Sequence, residues 1–319
     1  MTQLAFVAPS HASLHAKKSG GKSMNDVASG DDLADALLAI GSKDVAESKR
    51  LLERAAQQGS IMGRALSDVL NHGGSRNAYD EPRAFEVFIR GGGNLALYAA
   101  VSADLAKLYD AVRPSTLLDI GAGDGMALIP AITSSAHVLA RLDVVEPNDV
   151  LLGNLTASLP FARGHRMTLE KFVGDIGAED RWDLAQSTFA LQSIETKARE
   201  QALATLAGHV ARLVIVEFDV PALTSGSLVY YKSLAQRYER AASEYGQNAA
   251  LVAGGFLAPM LLGQLRSIVP SNYEQPADAW AAELEKAGYD VIAQTNLHDY
   301  SWSTAFSMVA VPKGYAALR

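Results

Sequence analysis

The sequence predicts a doubly wound α/β sheet preceded by a helical cap, with a helical insertion before the last two strands. Three observations carry that prediction. The stretch Ser115 to Gly125, STLLDIGAGDG, reads as a buried strand running into a glycine turn. From Thr116 onward apolar strand-like runs alternate with helical patterns, the rhythm of a parallel sheet with crossover helices. Before Thr116 the patterning is helical throughout, from Asp31 to Val112.

Composition bounds the rest. A chain of 319 residues that is 49% hydrophobic can bury a large core. Its net charge of -7 argues against nucleic acid as the main partner, because phosphate binding needs a clustered basic surface. There is no cysteine, which excludes disulfides, thiolate metal sites and a cysteine nucleophile, and nothing calls for a metal. Residues 1–30 read as a flexible tail whose apolar piece, Leu4 to Ala8, is too short for a signal-peptide core, with Met24 a candidate start. A cytoplasmic protein is expected. The piece AKKSGGKS imitates a phosphate loop, but Ala16 replaces its first glycine and no strand precedes it.

In the cap, 31–112, Asp31 or Asp32 opens a helix through Ile40, and Ser42 opens another through about Gln57. Asn71 to Pro82 reads as a loop, and Pro82 suits the first turn of a helix bearing Phe85, Val87, Phe88 and Ile89. Gly91 to Asn94 interrupt it. A longer amphipathic helix then places Leu95, Tyr98, Val101, Leu105 and Leu108 at helical spacing. Such a cap is a natural surface for a homodimer formed through the N-terminal helices.

In the core, 113–319, the first strand begins at Thr116, and the second spans Ala140 to Val145 and ends in Glu146. A third is expected over Met167 to Val173, ending in Gly174-Asp175, a fourth over Asp183 to Phe189, and a fifth over Arg212 to Phe218. The insertion, 221–276, holds a tyrosine-bearing helix and the apolar LVAGGFLAPMLLGQL, which is too short and too broken by Gly254, Gly255 and Pro259 to span a bilayer. After a helix from Ala277 to Ala287, two antiparallel strands joined by a loop over Asn296 to Ser303 complete the chain.

The ligand crevice of such a sheet lies beyond the strand C-termini, so the acids there come first. Asp119 precedes Gly121, Ala122 and Gly123, and Asp124 follows. The dinucleotide fingerprint G-x-G-x-x-G is not met, because the third glycine comes one residue early. Asp124 also stands where a pyrophosphate would sit. Paired carboxylates suit a cationic ligand such as a sulfonium. Glu146 can accept hydrogen bonds from ribose hydroxyls, although EPND is also good turn chemistry. Asp175 can accept from an exocyclic amine, with Ile176 packing on the ring.

The pattern D-x-G-x-G-x-G, followed by Glu146 and Asp175 each after a strand, resembles the class I S-adenosylmethionine (SAM) methyltransferases from about Leu95 to the C-terminus. The resemblance implies a seven-stranded Rossmann-like sheet with the last strand antiparallel between the fifth and sixth. It implies SAM as cofactor, with Asp119, Gly121, Ala122 and Gly123 at its methionyl and ribose end, Glu146 and Pro147 at the ribose, and Asp175 and Ile176 at the adenine. In STFALQSIE it implies contacts from Ser187, Phe189 and Gln192 beside the sulfonium. The helical additions look similar to the lids of bacterial small-molecule, natural-product-type methyltransferases.

Methyl transfer to a small organic acceptor on O, N or C is therefore the expected activity, with no nucleic-acid or membrane partner. Alternatives are a catalytically silent partner subunit on the same fold, an aminopropyl-type transferase, and, disfavoured by Asp124, an NAD-dependent oxidoreductase. A base is needed only if the acceptor must lose a proton. Candidates are His298, Glu217, Glu195 and Asp219, His298 first because its ordinary pKa suits proton transfer. Tyr79, Phe88, Tyr98, Tyr230, Tyr300 and Trp302 can supply aromatic walls, although each alone equally serves packing.

Overall fold

A computed structural model describes residues 24–71, 80–266 and 272–314. The helices before the sheet are α1 (Met24–Gly41), α2 (Val45–Gln57), α3 (Ile61–Asn71), α4 (Pro82–Ile89) and α5 (Gly93–Val112). The sheet then alternates β1 (Thr116–Ile120), α6 (Leu128–Ser134), β2 (Arg141–Val145), α7 (Asp149–Ser158), β3 (Ala162–His165), α8 (Leu169–Asp175), β4 (Leu184–Thr188), α9 (Thr196–Leu206) and β5 (Leu213–Phe218). The insertion carries α10 (Leu228–Ser243), α11 (Ala249–Val252) and α12 (Ala258–Arg266); α13 (Ala277–Lys286), β6 (Tyr289–Asp299) and β7 (Thr304–Pro312) follow.

The seven strands lie in the order β3-β2-β1-β4-β5-β7-β6. The pairs among β1 to β5 are parallel, and β7 runs antiparallel between β5 and β6, as the resemblance implied. The strand alternation sorts side chains to two helical layers. Leu117, Leu142, Leu184 and Val214 face α5, α6 and α7, whereas Leu118, Val145, Ala185 and Ile215 face α8, α9 and α13. Each such Leu, Val or Ile side chain removed from water contributes about 1.5–3 kcal/mol.

A third apolar cluster joins α1, α2 and α3 to α10 and the helical run 246–266. The cap and the insertion therefore share one core, and the apolar stripes of α2 and α3 are spent inside the chain. Gly246–Arg266 is long and apolar enough to cross a membrane by composition, yet half of its most apolar window is buried within the protein. Its middle, Ala253–Leu257, is a π-helical turn just before Pro259. Pro259 has no N–H to donate to the carbonyl four residues back, and a widened turn accommodates that loss.

Three boundaries differ from the sequence reading. Residues 24–30, expected in the tail, are helical. The third strand is Ala162–His165, while Met167 to Val173 mostly form α8, because the Thr168 hydroxyl accepts the Lys171 N–H and caps a helix there. The last loop is shorter than expected, because β6 continues through His298 and Asp299, which pair with Ala305 and Thr304.

Candidate functional site

The site begins where β1 ends. Gly121, Gly123 and Gly125 have φ of 67°, 57° and 84°, left-handed conformations that favour glycine. A Cβ on Gly121 would meet the Ala190 methyl at 2.2 Å, so close packing also requires glycine there. A Cβ on Gly123 would meet nothing within 4 Å, which leaves open space over the turn.

Glu146, buried just beyond β2, clamps this turn from the side. Its Oε2 accepts the Gly123 N–H at 3.0 Å and its Oε1 accepts the Asn148 N–H at 2.8 Å. Each oxygen keeps acceptor capacity for a second donor. Asp119 is buried at the end of β1, in register with Gln186 of β4. Burial pushes its carboxyl up to about 7, with the Gln186 amide opposing that rise and the Glu146 charge adding to it. The Tyr109 hydroxyl donates to Gln186 Oε1 at 2.5 Å and fixes that amide beside Asp119.

At the end of β4, Ser187 is committed to the sheet, its hydroxyl donating to the Ile120 carbonyl at 3.0 Å. Thr188 Oγ1 and Gln192 Oε1 are buried without a hydrogen-bond partner among the described residues. Phe189 follows at φ 52°, unusual for a residue with a side chain. Its ring stacks on Phe218 at 4.3 Å and meets Tyr98 edge-on at 6.0 Å. An open glycine turn, two buried acids with unused acceptor capacity and orphaned polar atoms together fit a ligand that is cationic and rich in hydroxyls.

Beyond Phe189 lies a cavity of about 580 Å³ between the sheet, α5, α10 and α12. Phe88, Tyr98, Tyr230, Tyr300 and Trp302 all line it, so five of the six aromatics singled out for a substrate wall converge. The sixth, Tyr79, lies outside the described residues. A second cavity, of about 790 Å³, shares Asn94 and Tyr98 with the first and reaches Asp124 and Gly125. The two cavities therefore share a wall at Asn94 and Tyr98 of α5, with Asp124 and Gly125 on one side and the aromatic chamber on the other. Arg90 of the α4–α5 link closes over the turn, its guanidinium 3.0 Å from Asp124.

The residues proposed as bases lie elsewhere. Glu195 caps α9 from an exposed position, and the Lys197 and Ala198 N–H groups hold its carboxyl below the ordinary range. Glu217 is buried on β5, and burial pushes it up to about 8. Its Oε1 accepts the Gln192 N–H at 3.3 Å while Oε2 has no partner among the described residues, and it does not line the cavity. Asp219 accepts the Ala277 N–H at the start of α13. His298 lies on the edge strand β6, away from the cavity lining. The relocated third strand also leaves Asp175 exposed at the end of α8, with Ile176 packed against the α8–α9 layer. The residue at the true end of β3 is His165.

Two polar residues that sequence reasoning passed over do line the chamber. Glu274 and Arg237 are the carboxylate and the cation of its lining among the described residues. Glu274 Oε1 accepts the Trp302 Nε1–H at 2.7 Å, and burial pushes its carboxyl upward. A tryptophan and a glutamate brought together across 28 positions left no local signal.

In known structures, the chain is similar to mitomycin 7-O-methyltransferase, at 15% identity and a TM-score of 0.48 over 83% of this chain and 72% of that one. It is also similar to magnesium protoporphyrin IX methyltransferase from Synechocystis with SAH bound, at 13% identity and 0.47 over 74% and 97% of the two chains. The pyocyanin biosynthetic protein PhzM aligns at 13% identity and 0.46, over 79% and 68%. No family model matches the sequence. No curated protein matches it.

Proposed function

We propose that this protein is a SAM-dependent methyltransferase that modifies an oxygen, nitrogen or carbon of a small organic acceptor, in secondary metabolism. The observation that carries the reading is the pair of buried carboxylates, Asp119 and Glu146, on adjacent strand ends around a glycine turn whose last residues, Asp124 and Gly125, line a cavity that shares Asn94 and Tyr98 with the aromatic chamber. A sheet in the order β3-β2-β1-β4-β5-β7-β6 supports it.

Bound SAM supplies a methyl group already activated by its positive sulfur. The chain's own work is to hold and align. Asp119 offers negative charge to the cation, and Glu146 offers its free acceptor capacity to ribose hydroxyls. Gly121, Ala122 and Gly123 allow close backbone approach. Tyr98, which lines both cavities, and Phe189, which meets it edge-on, keep water from the reacting atoms. When the acceptor is a hydroxyl or an amine, Glu274 takes its proton, since Trp302 occupies Oε1 and leaves Oε2 for it.

The apolar stripes of α2 and α3 are buried within the chain, so a dimer through the N-terminal helices would rest on their polar faces. Incubation of the full chain with methyl-labelled SAM and a panel of aromatic acceptors tests the reading. Acceptor-dependent release of SAH, with kcat lowered in Glu274→Gln and KM for SAM unchanged, is expected. SAM binding with no transfer to any acceptor would favour a silent partner subunit instead.

A further inference from the structure

The cation of the chamber's lining among the described residues is Arg237 of α10. It lines the cavity half-buried, with its guanidinium 5.1 Å from the centre of the Trp302 ring. Among the described residues it donates no hydrogen bond and forms no ion pair. Glu274, the nearest opposite charge, has its Oε1 engaged by Trp302 instead. The neighbouring polar groups are already matched: Tyr238 donates to Gln264 Oε1 at 3.1 Å, and Gln264 Nε2 donates to Tyr230 Oη at 3.4 Å. A guanidinium is always charged and presents five donors in a planar fork, so withdrawing it partly from water without an acceptor is costly. Two flat oxygens of a carboxylate satisfy that fork best.

The walls fix the rest of the ligand. Phe189, Phe218 and Tyr300 form a continuous stack on one side, with centroid separations of 4.3 and 5.5 Å and interplanar angles of 9° and 19°. Tyr238 and Trp302 meet edge-on at 5.4 Å on the side where Arg237 sits. A space of about 580 Å³ with aromatic side chains on both sides accommodates a planar ring system of two or three fused rings.

We propose that the acceptor is a flat aromatic molecule bearing a carboxylate, and that Arg237 grips that carboxylate in the chamber. The inference rests on the methyltransferase reading for the word acceptor, but the pocket's preference is measurable without it. Full-length protein is titrated calorimetrically with naphthoate and with naphthamide, its neutral counterpart of the same shape, with and without SAH. The wild type is expected to bind naphthoate roughly tenfold or more tightly than naphthamide, the scale of one charge-assisted pair. Arg237→Gln is expected to bring the two within about twofold, and Arg237→Lys to keep part of the gap. SAH affinity equal to wild type shows that each variant is folded. Equal affinity of the wild type for both probes, failure to bind naphthoate, or a gap that survives in Arg237→Gln overturns the proposal. Failure of SAH to bind would instead count against the cofactor reading, leaving the two probe titrations to judge Arg237.

Discussion

The Gly123 amide donates to Glu146 Oε2 at 3.0 Å, so the acid beyond β2 holds the turn that follows β1. In the proposed function the same carboxylate shapes the cradle and accepts from the cofactor. Removing its charge weakens both roles. Glu146→Gln should lower SAH affinity about tenfold, and Glu146→Ala by more, since a charge-assisted hydrogen bond contributes about 1.5–3 kcal/mol. Calorimetry on folded variants checks this, and unchanged affinity in both would remove Glu146 from the site.

Asp119 makes both stability and binding depend on pH. Its carboxyl holds a proton up to about 7 when folded, against 3.8 when free. Between those values the folded chain binds more protons than the unfolded one, so Asp119 costs stability increasingly as pH rises to 7, and the full cost persists above it. Glu217 acts in the same direction from 4.5 to about 8. Asp119→Asn should therefore raise the Tm of the ligand-free protein at pH 8 by a few degrees, the effect of about 1 kcal/mol, and leave it unchanged at pH 4. SAM affinity should rise as pH increases through 7 in the wild type and stay flat in the variant. Thermal melts from pH 4 to 8 and SAM titrations across pH 6 to 8 give both answers.

Phe189 holds a left-handed backbone, φ 52°, while its ring stacks on Phe218. Both Phe189→Gly and Phe189→Ala lose the stack, but only glycine adopts that conformation freely. The glycine variant should be the more stable by about 1 kcal/mol in urea denaturation. The reverse order would show that the backbone relaxes once the ring is gone.

Arg199 is fully buried between α9 and α13. Its Nε and Nη2 donate to Glu283 at 2.7 Å each, its Nη1 reaches three backbone carbonyls, and its guanidinium lies over Trp280 at 4.1 Å. Glu283→Ala strands that charge and should destabilise the protein by about 3–5 kcal/mol. The double variant Arg199→Met, Glu283→Met should cost less than the single one, as chemical denaturation would show.

The parallel centre of the sheet was legible because β1 and β5 are mostly apolar runs and β1 and β2 are followed by Gly121 and Glu146. Leu117, Leu118 and Ile120 are all buried, each facing one of the two helical layers. The third strand was misread because ARGH is an edge strand with no apolar run, while MTLEKFV supplies Met167, Leu169, Phe172 and Val173 in a segment that Thr168 caps as a helix. That shift moved Asp175 off a strand end. His298 looked like a loop residue because HDYS is polar, yet ladder pairing with Ala305 carries β6 through it. The aromatic wall was legible residue by residue, although not as one chamber. Arg237 and Glu274 were not, because their meeting depends on how α10 and the chain before α13 fold back together.

The most direct test of the account is calorimetric titration of the purified chain with SAH and with NAD, repeated on Asp119→Ala and Glu146→Ala. The account predicts one site for SAH, none for NAD, and weakened SAH binding in both variants while the far-UV spectrum is unchanged. A folded wild-type protein that binds no SAH, or variants that bind it as tightly as the wild type, would contradict the claim that this glycine turn and its two acids hold an adenosyl cofactor.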